Sequence, residues 1–253
     1  LRSVAQQVGC RHPVRLYLGV DGPLPEPMER VIQAHGDSIH RIIRSRKRIG
    51  PTGNMNQLIR ALGDERLIFR MDADDVSRPD RLRRQIEHMD SHPEIAILGT
   101  GIEEVDDSGR VVTTRTYPQD PDEIPRLICR ASPLAHPTVC IRPEVFAATG
   151  GYPEIRGQDL ALWFEALQRG FRISNLEEPL VQVGISTEFF RRRGEWKRAL
   201  PEFRIYLRGI WRLHGLTWRL GFPFLRLAFR HAPTGLARRI YRSRLRHRVT
   251  SGP

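Results

Sequence analysis

Between Val14 and Asp75 the hydrophobic pattern switches between strand-like and helix-like four times, and this alternation constrains the fold more than any other feature. "VRLYLGV", Val14 to Val20, is a short apolar run that reads as a buried strand, closed by a turn at Asp21-Gly22-Pro23. A helix is expected from about Pro27 to His35, then a strand in "IHRIIRS". After a glycine-rich loop, a second helix gathers Met55, Leu58, Ile59 and Leu62 on one face, and "ERLIFRMD" is the third strand. Strands joined through helices pair in parallel, so this order predicts an α/β fold: a Rossmann-like, mostly parallel sheet with helices on both faces.

Further along, Ser77 is expected to cap a helix with Pro79 in its first turn and Leu82, Ile86 and Met89 turned inward. "EIAILGTGIEEVDDSGRVVTTRTY" predicts an antiparallel hairpin turning at Asp107-Ser108-Gly109. A helix from Asp159 to Arg169 buries Leu160, Trp163, Phe164 and Leu167, and "PLVQVGI" is a late strand. At 253 residues the chain suffices for one such domain and an appendage. The formal net charge of +12 marks where they divide: residues 1–190 hold 24 Lys/Arg against 27 Asp/Glu, and residues 191–253 hold 17 against 2. A near-neutral α/β domain over 1–190 and a basic, aromatic-containing helical extension over 191–253 are therefore expected.

Cys10, Cys129 and Cys140 are odd in number and lack CxxC or zinc-like spacing, which argues against a disulfide framework and a structural zinc site and fits a reducing cytoplasm. There is no signal-peptide pattern and no apolar run of membrane-spanning length.

The chemistry concentrates in "FRMDADDVSRPDR". On extended backbone, residues two apart point the same way, so Asp72 and Asp74 can converge on one object while Asp75 begins a turn. Carboxylates held together repel unless a cation lies among them, and oxygen-only ligands suit Mg²⁺ or Mn²⁺. Ligands of open α/β sheets bind beyond the carboxyl ends of the strands, where both Asp21 and the cluster sit. The competing reading makes Asp74 and Asp75 solvated turn residues before a helix. In "GQDLALWFEALQRG", Asp159 is either an N-cap or a general base presented by a rigid helix, and the roles can coexist. His136, before Pro137, is a structural histidine or a phosphate or acceptor contact. Gly150-Gly151 implies a positive-φ turn or a close backbone approach.

In order, "VDGP", "GPTGNMNQLI", "RMDADDVSRPDRLRRQ", "HPTV", "GGYPEIRGQDLALWFEAL" and "FFRRRGEWKRALPEF" resemble the family 2 glycosyltransferases of the GT-A fold, in particular the bacterial exopolysaccharide, amylovoran-biosynthesis type. The resemblance runs from about Val14 to Leu207. It implies nucleotide-sugar contacts for Asp21 and Asp72, a divalent metal (Mn²⁺ or Mg²⁺) on Asp74, and a catalytic base at Asp159. The family's acidic pair stands here as Gln158-Asp159, so the first carboxylate is replaced while the base is kept. Asp75, His136 and Gln158 become candidate acceptor or phosphate contacts. The implied reaction is inverting, metal-dependent transfer from a nucleotide-sugar, a UDP-sugar first, to a saccharide or lipid-linked acceptor in cell-surface polysaccharide synthesis.

The basic tail, with Trp196, Trp211, Trp218, Phe222, Phe224 and Phe229 among its arginines, suits an anionic membrane surface, which predicts a cytoplasmic protein peripheral to the inner face of the plasma membrane. Two rival readings are a nucleic-acid or polyanion binder and a nucleotidyltransferase; no helix-turn-helix, zinc-finger or RNP-like pattern supports specific nucleic-acid recognition. Because the chain opens in helical spacing at Leu1, the resemblance also leads us to expect a preceding strand, in an N-terminal extension of roughly 15 to 40 residues.

Overall fold

The computed structural model describes residues 1–185 and 196–230. After a short helix α1 (Arg2–Ala5) the expected alternation is found as β1 (Tyr17–Val20), α2 (Glu26–Ala34), β2 (Arg41–Arg44), α3 (Gly50–Arg60) and β3 (Ile68–Phe69). There follow β4 (Val76–Ser77), α4 (Arg81–Ser91), β5 (Ile95–Val105), β6 (Val111–Arg115), α5 (Ile124–Leu127), β7 (Cys140–Ile141), α6 (Pro143–Thr149), α7 (Gln158–Gln168) and β8 (Arg172–Gly184). Two further helices, α8 (Trp196–His214) and α9 (Gly221–Arg230), complete the described chain.

The α/β class is as expected, but the sheet is mixed. β1 and β2 pair in parallel as a two-stranded sheet. The larger sheet runs β3-β7-β5-β8-β4, with β6 also on β5. In it only β5 and β8 are parallel, and the other pairings are antiparallel. β3, β4 and β7 are two residues each and pair with strands distant in the chain, β3 with β7, β7 with β5 and β4 with β8. The hairpin expected near Gly109 is present between β5 and β6, where Asp106 Oδ1 accepts the backbone N–H of Ser108 (3.0 Å) and Arg110 (3.1 Å).

The main core gathers Ile97, Ile124, Ile128, Val139, Ile141, Leu162, Trp163, Phe164 and Ile173, all 2% exposed or less. α7 is enclosed on more than the single stripe its sequence suggested, because Leu162 and Ala166 are buried as well. What covers it is α8: Ile205, Tyr206 and Ile210 join the same core, and the Tyr206 ring meets Phe164 edge-on at 5.9 Å. α8 thus lies beyond the boundary expected at residue 190 yet shares the core of the α/β unit.

Ser77 does not cap a helix. It is paired in β4 with Val181, and α4 begins at Arg81. The N–H of Leu82 is met instead by Oε1 of Gln7 (3.0 Å), whose Nε2 donates to the carbonyl of Arg78 (2.9 Å). A side chain 75 residues away supplies the cap, a contact no local pattern announces.

Candidate active site

Asp72, Asp74 and Asp75 lie between β3 and β4, and each offers a carboxylate oxygen within 4.8 Å of the others. They converge by a different route from the extended alternation expected: Ala73 and Asp74 form a turn, with the N–H of Asp75 donating to the carbonyl of Asp72 (3.4 Å). Asp74 points to solvent and the other two are half-buried. Asp75 accepts a hydrogen bond from the backbone of Gly184, while its Oδ2 is buried with no partner among the described residues. Burial first, and then the charges of Asp72 and Asp74, push its pKa up to about 7. A compact, all-oxygen, anionic set with an orphaned buried oxygen fits a hard divalent cation such as Mg²⁺ or Mn²⁺.

Two arginines underlie the cluster. Arg70 Nη2 donates to Asp72 Oδ1, and Nη1 is buried with no partner among the described residues. The Arg70 carbonyl accepts Nη2 of Arg81 (2.9 Å), a side chain wholly enclosed at the start of α4. Burial lowers the Arg81 pKa to about 10, which leaves it charged at neutral pH. Neither arginine was a candidate on sequence. The signal was an arginine between Phe69 and Met71, where an apolar strand gives no reason for one.

Asp159 is the second residue of α7, in its first turn; the N-cap is Gly157, in the left-handed region at φ 87°. The N-cap position expected for Asp159 is therefore held by Gly157, two residues earlier and without a capping side chain. Its half-buried carboxyl accepts backbone N–H bonds at the helix start, yet desolvation dominates and raises its pKa above the ordinary carboxylate range. Gln158 opens the same helix, half-buried.

Beside it, His136 Nε2 and the Tyr152 hydroxyl are 3.0 Å apart, and the His136 ring stands edge-on to Trp163 at 5.9 Å. Burial, helped by the positive charge of Arg70, lowers the His136 pKa well below its usual value, so the imidazole is neutral. Tyr152, missed on sequence, is anchored from α3: Asn56 Nδ2 donates to its carbonyl and its N–H donates to Asn56 Oδ1, both at 2.8 Å. That latch explains the glycine pair. A Cβ on Gly151, which has φ 102°, would lie 2.7 Å from Asn56 Oδ1, and Gly150 closes α6 in the left-handed region. Arg70 acts electrostatically on Asp75, His136, Tyr152 and Asp159, so one cation ties the acid cluster to the neighbourhood of Asp159. Asp21, at the end of β1, accepts the backbone N–H groups of Ile49 (2.7 Å) and Gly50 (3.0 Å), and so secures the start of α3.

A strand-end acid cluster and a desolvated carboxylate on a separate helix, both within the field of Arg70 on a mixed α/β sheet, are compatible with a group-transfer enzyme of the GT-A glycosyltransferase class. The chain belongs to glycosyl transferase family 2, whose model matches residues 1–194. It is 31% identical over 189 residues to an uncharacterized glycosyltransferase of Haemophilus influenzae, covering 71% of this chain and 67% of the relative. It is 25% identical over 193 residues to the amylovoran biosynthesis glycosyltransferase AmsE of Erwinia amylovora, covering 76% and 72%. Among solved structures, the mannosyltransferase PcManGT of Pyrobaculum calidifontis, in complex with GDP-Man and Mn²⁺, superposes with a TM-score of 0.61 at 15% identity, over 100% of this chain and 70% of that one. The chain is a glycosyltransferase.

Proposed function

We propose that this enzyme transfers a glycosyl group from a nucleotide-sugar to a saccharide or lipid-linked acceptor with inversion at the anomeric carbon. The observation that carries this reading is the pairing of the acid cluster with Asp159 around Arg70. Asp21 and Asp72 hold the nucleotide, and Asp74, with the adjoining carboxylates, holds Mn²⁺ or Mg²⁺. When bound, the cation stabilises negative charge on the departing diphosphate as a Lewis acid. Asp159 accepts the proton of the acceptor hydroxyl while that oxygen bonds the anomeric carbon and the carbon–diphosphate bond breaks. A single displacement inverts the centre. Asp159 suits this work because helix α7 is fixed by the core behind it and cannot yield as the proton moves.

The acceptor side of the proposal includes an anionic membrane surface. Among the described residues no helix is long and apolar enough to cross a membrane. α8 instead exposes Arg204, Arg208, Trp211 and Arg212 along one face. Trp211 (61% exposed), Leu216 (93%), Trp218 (74%) and Phe224 (57%) stand out where apolar groups are normally covered. Apolar anchors beside arginines fit a headgroup layer. The remaining basic run, 231–253, lies outside the described residues.

The test is a screen of UDP-, GDP- and dTDP-sugars with and without Mn²⁺, with the anomeric configuration of product read by NMR. Transfer or hydrolysis from one donor supports the reading, retention at the anomeric carbon removes Asp159 as direct base, and inertness toward every donor overturns it. Flotation with anionic vesicles tests the membrane arm. Salt-sensitive binding is expected, and stronger binding to duplex DNA at physiological salt would replace the membrane with a nucleic acid.

A further inference from the structure

The acid cluster rests on a cationic floor whose two members are built differently. Arg70 is partly accessible, its side chain 17% exposed, and spends one nitrogen on Asp72 while Nη1 has no partner among the described residues. Arg81 is 1% exposed, and its hydrogen bonds all go to neutral acceptors: Gln85 Oε1 at 2.9 Å, Met71 Sδ at 3.2 Å and the Arg70 carbonyl at 2.9 Å. Gln85 in turn donates to the carbonyls of Leu98 (3.0 Å) and Thr138 (2.9 Å), which pins the assembly to β5 and to the turn before β7. A buried cation with no carboxylate among its partners in the described residues is expensive, and of the acid cluster it is Asp75 whose charge offsets that cost.

We propose that Arg70 and Arg81 are positioning residues that make the site select a metal–nucleoside diphosphate pair over the bare cation. The inference rests on the glycosyl-transfer reading above. With Asp72, Asp74 and Asp75 all ionised, three negative charges stand over two positive ones, a net of one. A lone dication entering that site meets little net attraction. Once it is there the net sign turns positive, which suits the additional negative oxygens of a diphosphate. The arginines also fix the path of the backbone: Arg81 holds the carbonyl that precedes Met71, and Arg70 holds Asp72, so the cluster keeps its shape before the ligand arrives.

Titration calorimetry at pH 8 separates this from a merely structural role, using Mn²⁺ alone and then UDP, with GDP in parallel, in saturating Mn²⁺. Arg70→Gln is expected to bind Mn²⁺ alone about tenfold more tightly and the nucleotide in excess Mn²⁺ about tenfold more weakly, the scale of one unit charge acting across several ångströms of protein. Arg70→Lys, which keeps the charge, is expected to restore the wild-type order of the two affinities. Arg81→Gln should shift both in the same opposed directions; if it does not fold, Arg70→Gln carries the test, since its side chain is at the edge of the site. A floor that only supports the fold would weaken both affinities together, and that result, or no change in either, overturns the inference. Nucleotide binding by the wild type with parallel losses in the variants sinks this inference alone, whereas a wild type that binds neither UDP nor GDP sinks the donor reading as well.

Discussion

The carboxylates after β3 and the carboxylate of Asp159 are the same chemical group held by opposite means. The cluster stands on a turn between two-residue strands, half open to water, and keeps its shape through charge: Arg70 on Asp72, Arg81 on the Arg70 carbonyl. Among the described residues no cation forms an ion pair with Asp159. It is fixed because Leu160, Trp163 and Phe164 of its own helix are locked in the main core under α8. One site is organised by electrostatics and can therefore respond to an incoming ion. The other is organised by packing and is indifferent to it, which is what a base that must stay in place requires.

The sharpest way to break this contrast is Asp159→Asn. If the residue is a base positioned by packing, turnover per folded molecule should fall by about 10²-fold or more. Thermal stability should hold or rise, because a desolvated carboxylate burdens the fold when ionised. A variant that melts early yet retains turnover would assign Asp159 a structural role only.

Next in size is Trp163→Ala, which removes a fully buried indole from the core behind Asp159. A loss of about 3–5 kcal/mol is expected from denaturant melts, the range for truncating a buried aromatic side chain. Affinity for Mn²⁺ in molecules still folded should not change, since packing does not organise the cluster. A parallel loss of metal affinity would erase the distinction between the two regions.

Asp75→Asn addresses the charge-held side. Folding raises the pKa of this carboxyl to about 7, so the folded chain holds the proton more tightly than the unfolded one. Its contribution is complete below the ordinary carboxylate range and is lost as pH rises toward 7. In chelator at pH 8 the asparagine variant should therefore be more stable than wild type by about 1–3 kcal/mol, and at pH 4 about equal. Identical pH slopes in both proteins would show that Asp75 is not the strained member of the cluster.

The smallest effect belongs to Asp21. Removing the acceptor of the Ile49 and Gly50 N–H groups through Asp21→Ala should cost about 0.5–2 kcal/mol, as loss of a helix cap does. Asp21→Asn, which keeps one acceptor oxygen of the two, should recover part of the stability. Loss of nucleotide affinity in the asparagine variant alone would show that Asp21 serves the ligand as well as the helix.

Periodicity made much of this molecule legible. The order β1, α2, β2, α3, β3 and the buried stripe of α7 follow from apolar spacing, and the acid cluster follows from three aspartates at a strand end. What stayed hidden has a common cause: it depends on partners remote in sequence. Two-residue strands carry no period, so the antiparallel pairing of β3, β4 and β7 left no trace. The cap on α4 comes from Gln7, so the nearer Ser77 was the wrong choice. Arg81 looked like one more charge in "SRPDRLRRQ", and only the fold reveals that it faces inward while Arg83 and Arg84 pair with Glu87 and Asp80 at the surface.

The latch between Asn56 and Tyr152 has a kinetic consequence. Its two hydrogen bonds join residues 96 apart, so closing it requires most of the larger sheet to be in order first. A contact of that kind belongs to the last steps of folding. Its removal should be felt in the rate at which the native state opens and hardly in the rate at which it is reached. Asn56→Ala should accordingly leave the refolding limb of a chevron in place and lift the unfolding limb. Until the latch closes, the Tyr152 segment is not yet tied to α3, and the enzyme would gain its activity later than it gains its secondary structure.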